Sequence, residues 1–167
     1  MIKMPHIQAI YIAPVAGAPM ESIPQAELLS TGIKGDRYAS GVGAYSQTLP
    51  NKVRHITLIT EAGIATANEW LIASGEATFN SAQTRRNIVI ANMSADDLNR
   101  LVGQTFHLGK LLLKGIELCT PCQRPAQLLN QSDFLDAFNH RGGLRAEILE
   151  IGSISVGDLL HVHQEAA

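Results

Sequence analysis

The chain has 167 residues, a formal net charge of −2 and an apolar fraction of 46%, enough for one domain with a buried core. Only 17% of its residues are charged, which excludes long disorder and argues against a general nucleic-acid binder, because such proteins are basic overall. No window approaches the ~18 apolar residues of a membrane span, and the first residues lack the apolar segment of a signal peptide. Two cysteines do not make a secreted disulfide framework. These readings predict a cytoplasmic protein with reduced thiols, a single domain over residues 1–167, and no nucleic-acid or membrane partner.

In chain order, Ile7 to Ile12 is apolar, β-branched and closed by Pro14, which predicts a strand. Pro14 to Pro24 is proline-rich and reads as a loop or wide turn. Ala26 to Leu29 reads as a short second strand. Gly32-Ile33-Lys34-Gly35-Asp36-Arg37 follows as a glycine-bracketed turn, since glycine permits positive φ. Ala39 to Asn51 has no period and reads as a mobile surface loop. Arg54 to Thr60 alternates and is β-branched, as a strand requires. Thr60 is placed to cap a helix over Glu61 to Ala73, stopped by Ser74-Gly75.

Ile88 to Ala91 is a buried strand by composition, and Arg85-Arg86-Asn87 leads into it. Ser94 with Asp97 at the third helical position predicts a short helix to Leu101, ended by Gly103. Thr105 to Leu108 and Lys110 to Glu117 read as strands around Gly109. Ser132 to Phe138 reads as a short amphipathic helix and His140 to Gly143 as a turn. Leu144 to Leu149 and Leu159 to Val162 read as the last strands, with a turn at Val156-Gly157-Asp158. Seven to nine short strands and three short helices, without regular alternation, predict a mostly β, barrel-like domain rather than a doubly wound sheet.

The chemistry concentrates in Cys119-Thr120-Pro121-Cys122-Gln123-Arg124-Pro125, which holds both cysteines. A structural zinc site would need about four ligands, and no histidine stands at finger-like spacing. A thioredoxin-like pair would need a βαβ context around the loop, and the pattern shows none. A single functional thiolate is the third reading: Arg124 lies two residues from Cys122, and a nearby cation favours the thiolate that binds soft metals or carries sulfur. Two buried, inert cysteines are the fourth.

Arg85-Arg86-Asn87 is either a solvated approach to a strand or a clamp for phosphate or carboxylate. Gly32 to Arg37 is either a turn closed by a local salt bridge or an anion-binding backbone nest with Arg37 as its charge. It lacks the GK[ST] ending of a phosphate-binding Walker loop. His161 and His163 share a strand face, and His55, His107 and His140 stand alone; none recommends a metal site or hydrolysis.

Six segments stand in an order that resembles the MOSC domain family, the domain found at the C-terminus of molybdenum cofactor sulfurases and as small stand-alone bacterial proteins. They are Ile33-Lys34-Gly35-Asp36-Arg37-Tyr38, Arg86-Asn87-Ile88-Val89, Leu101-Val102-Gly103, Cys119-Thr120-Pro121-Cys122, Gly142-Gly143-Leu144-Arg145-Ala146 and Val156-Gly157-Asp158. The resemblance implies a β-rich barrel-like fold and one important cysteine, which its Pro-Cys context assigns to Cys122 rather than Cys119.

It further implies that the Cys122 thiolate ligates the molybdenum of a pterin cofactor (molybdopterin), in a protein that reduces N-hydroxylated compounds with electrons from a partner. The alternative is a sulfur carrier holding a cysteine persulfide, or a cofactor-handling module, served by a sulfur-donor protein. The resemblance also implies pyridoxal phosphate binding as a property of the family. The cofactor's phosphate calls for guanidinium groups, so Arg37, Arg86 and Arg145, from three separate segments, are expected to converge on it. Asn87 is set against the pterin edge, Arg124 helps keep Cys122 ionised, and the substrate is a small molecule. The chain departs from some small bacterial members in having glycines but no histidine between Ala39 and Tyr45.

Overall fold

A computed structural model of the chain describes residues 3–119 and 137–163. Eleven strands and two α-helices lie among the described residues: β1 His6–Ile12, β2 Glu21–Ile23, β3 Gln25–Leu29, β4 Gly32–Ile33, β5 Ile56–Thr60, α1 Glu61–Ala73, β6 Ile88–Ala91, α2 Ala95–Asn99, β7 Thr105–Leu108, β8 Leu111–Leu118, β9 Leu144–Ile148, β10 Gly152–Ser155 and β11 Leu160–Val162. Eight strands form one sheet in the order β11-β7-β8-β9-β5-β6-β1-β2, and β10-β3-β4 form a second.

The large sheet curls on itself. Gly157 N–H donates to Ile7 C=O at 2.8 Å, Ile7 N–H to Asp158 C=O at 2.9 Å and Leu160 N–H to Pro5 C=O at 2.9 Å. These bonds bring the edge strand β11 back to the start of β1, near the opposite edge, so the sheet is a half-barrel. Curling hides edge groups that would otherwise recruit foreign strands. The barrel-like, mostly β expectation holds.

Period-two alternation explains the two cores. Leu58, Ile88 and Ile90 point into the barrel with Ile7, Ile10, Phe106, Leu113, Leu144 and Ala146. Their neighbours Ile59 and Val89 point outward, onto Ile64, Ala67 and Leu71 of α1 and onto Phe79 and Phe138. Each large side chain so buried contributes about 1.5–3 kcal/mol. Thr60 caps α1 by accepting from Gly63 N–H at 3.0 Å, and Ser94 caps α2 by accepting from Asp97 N–H at 3.0 Å. Both are the caps expected, each worth about 1 kcal/mol.

Three strands have no counterpart in the sequence reading. β2 sits inside the proline-rich stretch read as a loop, β4 inside the glycine turn, and β10 before the last turn. Each is two to four residues long, too short to show a period, and each is defined by its pairing: β2 with β1, β4 with β3 in a tight hairpin, and β10 with the distant β3. β5 and β6 pair in parallel across α1, one βαβ unit in an otherwise antiparallel sheet. The helix expected from Ser132 lies outside the described residues except for its end, where Ala137 and Phe138 are buried.

Candidate functional site

A row of side chains crosses the sheet at one level. Register pairs Arg145 of β9 with Thr57 of β5 on one side and with Glu117 of β8 on the other, and directly opposed residues share a face. Glu117 reaches this row through a β-bulge. Gly115 pairs with Ala146 on the barrel-core face, yet Glu117 rather than Ile116 pairs with Arg145. The extra residue turns Glu117 from the core face to the face of Arg145, as bulges beside functional sites do.

Asn87 continues the row. Its Oδ1 accepts from Thr57 N–H and Thr57 Oγ1–H, each at 3.1 Å, its Nδ2 donates to Tyr11 C=O at 3.1 Å, and its own N–H donates to Thr57 Oγ1 at 3.0 Å. It is 4% exposed and ties β1, β5 and the start of β6 together.

These residues line a cavity of about 420 Å³, within the size range of small-molecule sites. Six basic side chains line it among the described residues: Arg37, Lys52, Arg54, Arg85, Arg86 and Arg145. Glu117 is the one acid among those lining residues. Arg37, Arg86 and Arg145 all line this cavity.

Their circumstances differ. Arg37 Nη1 pairs at 2.9 Å with Asp36 Oδ1, and Asp36, 0% exposed, also accepts from Ala13 N–H at 3.1 Å and Tyr38 N–H at 3.2 Å. The turn is therefore closed by a local salt bridge, one of its two readings, while Arg37 still faces the cavity and stacks 5.0 Å from the Tyr38 ring centroid. Arg145 pairs with Glu117, which Lys52 approaches to 3.6 Å. Arg86 is 8% exposed and donates Nε–H to Gly142 C=O at 2.7 Å. Among the described residues no carboxylate pairs with it.

The glycine pair sets both Arg86 and the first cysteine. Gly142 supplies the carbonyl for Arg86, and Gly143 C=O accepts from Cys119 N–H at 2.8 Å. Gly143 has φ +105°, and a Cβ there would stand 2.2 Å from Leu58 O, so only glycine fits. Cys119 is buried at the cavity wall. Cys122 and Arg124 lie outside the described residues.

The sequence reading missed Lys52, Arg54, Tyr45 and Glu117 as lining residues, and named Arg85 only within the clamp reading of Arg85-Arg86-Asn87. Arg85 adopts the left-handed conformation, φ 61°, and donates to Ala18 C=O at 2.8 Å, a strained non-glycine backbone of the kind that gathers at binding sites. Arg54 stacks 5.4 Å from the Tyr45 ring centroid. Position 45 thus belongs to a wall, though its stretch reads as surface loop. Adjacency to Arg86 was a signal for Arg85; a bulge and a loop conformation left none for the others.

The histidines stand apart from this chemistry. His107 Nδ1 and His163 Nε2 are 2.6 Å apart on the outer edge, and no metal-binding group of three or more His, Cys, Asp or Glu occurs among the described residues. His55 accepts from Ile148 N–H through Nδ1 at 3.1 Å. Burial pushes its pKa down, against the opposing pull of Glu147. No helix among the described residues is long and apolar enough to cross a membrane.

Fold and cavity together define a class: a curled β domain with a cationic cavity and a buried thiol in its wall. The chain belongs to the MOSC domain family, whose model matches residues 47–161, and MOSC domains are associated with molybdenum-cofactor binding. Its fold is similar to that of the YUAD protein from Bacillus subtilis, with TM-score 0.74 and 18% identity over 97% of this chain and 98% of that one. It is also similar to YiiM from Geobacillus stearothermophilus, with TM-score 0.69 and 14% identity over 96% of this chain and 75% of that one. YiiM from Escherichia coli gives TM-score 0.69 and 14% identity over 99% and 72%. No curated protein matches the sequence.

Proposed function

We propose that the chain binds a molybdenum-pterin cofactor in this cavity and reduces N-hydroxylated compounds, with the Cys122 thiolate as the protein ligand to the metal. The observation that carries this reading is Arg86. A guanidinium 8% exposed, with no carboxylate paired to it among the described residues, is costly to bury unless an anion completes it. Arg37 and Arg145 line the same cavity, so a phosphate would meet guanidinium forks from three segments.

The donor set fits the cofactor's phosphate. Arg37, Arg86 and Arg145 would hold it, and Asn87 retains one amide N–H for the pterin edge, its other side-chain bonds being spent on Thr57 and Tyr11. Cys122 would supply a soft ligand suited to molybdenum, with Arg124 favouring its thiolate. When bound, the cofactor supplies two-electron chemistry. Reduction of an N-hydroxylated substrate breaks the N–O bond, takes up two electrons from a donor protein and two protons, and releases the amine and water.

Metal analysis and intact mass test the reading on chain purified from a host that makes the cofactor. Stoichiometric molybdenum, lost in Cys122→Ser, is the expected result. A mass gain of one sulfur atom that reductant removes, without molybdenum, would assign the chain instead as a persulfide sulfur carrier. Neither signal would leave a structural thiol and overturn both.

A further inference from the structure

We infer that Glu117 is a resident counter-anion, held by Arg145 and Lys52 and displaced by an anionic group entering the cavity, so that it sets the affinity threshold of the site. This rests on the reading of the cavity as an anion site. Glu117 is the one acid among the described lining residues, and the bulge at Gly115–Glu117 places it opposite Arg145. Regular alternation would have turned position 117 into the barrel core. Its carboxylate pairs with Arg145 and lies 3.6 Å from Lys52 Nζ, two of the cations a phosphate group would use.

The contact is built to exchange. The Glu117 side chain is 38% exposed and that of Lys52 49%, so both can turn to water at small desolvation cost. Asp36 shows the contrast: 0% exposed and bonded to two backbone N–H groups besides Arg37, it has no route to solvent and stays with Arg37. Of the two carboxylates paired with lining arginines, Asp36 is fixed behind Arg37 and Glu117 is exchangeable. A ligand anion must outcompete the carboxylate for Arg145 and Lys52, and only the surplus appears as affinity.

Displacement has a signature that simple repulsion lacks. Removing Glu117 abolishes one exchange step common to every anion, so all anions gain by the same factor. A fixed carboxylate would instead repel a dianion more than a monoanion. Calorimetric titration of the full chain with methyl phosphate and with dimethyl phosphate, tetrahedral anions differing by one charge at pH about 8, separates the two.

Glu117→Gln is expected to bind both anions about tenfold more tightly, equivalent to about 1.4 kcal/mol. Glu117→Asp keeps the charge but shortens the reach to Arg145, and is expected to tighten both by a smaller factor. A severalfold larger gain for methyl phosphate than for dimethyl phosphate would overturn displacement in favour of fixed repulsion. Wild type that binds methyl phosphate, with variants that bind no tighter, would overturn this inference alone. Failure of wild type and both folded variants to bind methyl phosphate would overturn the anion-site reading and this inference with it.

Discussion

Arg86→Met separates a ligand-binding charge from a structural one. Methionine keeps the length and apolar stem of arginine and removes the charge. Two effects on stability oppose each other. Gly142 C=O loses its 2.7 Å donor, costing about 1–3 kcal/mol. Against that, the change removes the desolvation penalty of a buried charge that no carboxylate compensates among the described residues, an effect on the scale of the about 1–4 kcal/mol gained when a buried ion pair is exchanged for apolar side chains. The net change therefore stays within about 3 kcal/mol in either direction, or no more than about 12 °C in Tm for a chain of this size.

Binding responds in one direction only. A charged hydrogen bond to an anion contributes about 1.5–3 kcal/mol, so methyl phosphate binds about 10- to 150-fold more weakly. At a ligand concentration 100 times Kd, wild type gains about 2.7 kcal/mol, and the variant at the same concentration gains only about 0.3–1.4 kcal/mol. Urea unfolding with and without methyl phosphate, together with calorimetry, reads both quantities. Wild-type affinity in a variant destabilised by more than about 4 kcal/mol would make Arg86 a structural residue and refute the reasoning.

Two further outcomes follow from the structure. The pKa of folded His55 lies below the ordinary 6.5 because of burial, so below that pH the unfolded chain takes up a proton that the native chain does not; stability is full above about 6.5 and falls as pH drops through the window between the two values. His55→Asn keeps an acceptor near Nδ1 for Ile148 N–H and does not titrate, so its urea midpoint should fall less than that of wild type as pH drops below about 6.5; an unchanged slope would assign the dependence elsewhere. Gly143→Ala would place Cβ 2.2 Å from Leu58 O at φ +105°, whereas Gly157→Ala, at φ +96°, meets nothing within 4 Å. The first should lose several kcal/mol and weaken anion binding by moving Gly142 and Arg86, and the second about 1 kcal/mol; equal thermal shifts would contradict the steric argument.

Where local chemistry decides an element, the residues announce it. Thr60 and Ser94 mark helix starts because a hydroxyl before a helix satisfies an otherwise unbonded N–H, and α1 spans Glu61–Ala73 as its cap and stop predict. β6 and β7 likewise coincide with their apolar runs. β10 was illegible because Ile154 is its one buried residue and its pairing with β3 comes from a segment more than a hundred positions away. The site divides in the same manner. Arginines in short motifs next to glycines or a buried strand stand out by type, and three of them line the cavity. Glu117 does not stand out, because alternation read without the bulge at Gly115 puts it on the wrong face of β8.

The arginines of the cavity are not equivalent, and that decides which substitutions are informative. Arg37 is compensated by a carboxylate that cannot leave, Arg145 by one that can, and Arg86 by a carbonyl dipole. Arg37→Ala would strand Asp36, 0% exposed, without its cation, and breaking such a pair from one side costs about 3–5 kcal/mol. Loss of function in that variant would then report unfolding rather than a missing ligand contact. The double change Arg37→Met with Asp36→Asn removes both charges but turns an amide NH2 toward one of the two backbone donors, Ala13 N–H or Tyr38 N–H, so it should recover only part of that stability; a denaturant midpoint no higher than that of Arg37→Ala would mean that the stranded charge is not what the single change costs. If anion affinity stays near wild type in the recovered protein, Arg37 shapes the cavity while Arg86 and Arg145 supply its charge. A fall as large as that in Arg86→Met would instead place the Arg37 guanidinium on the ligand.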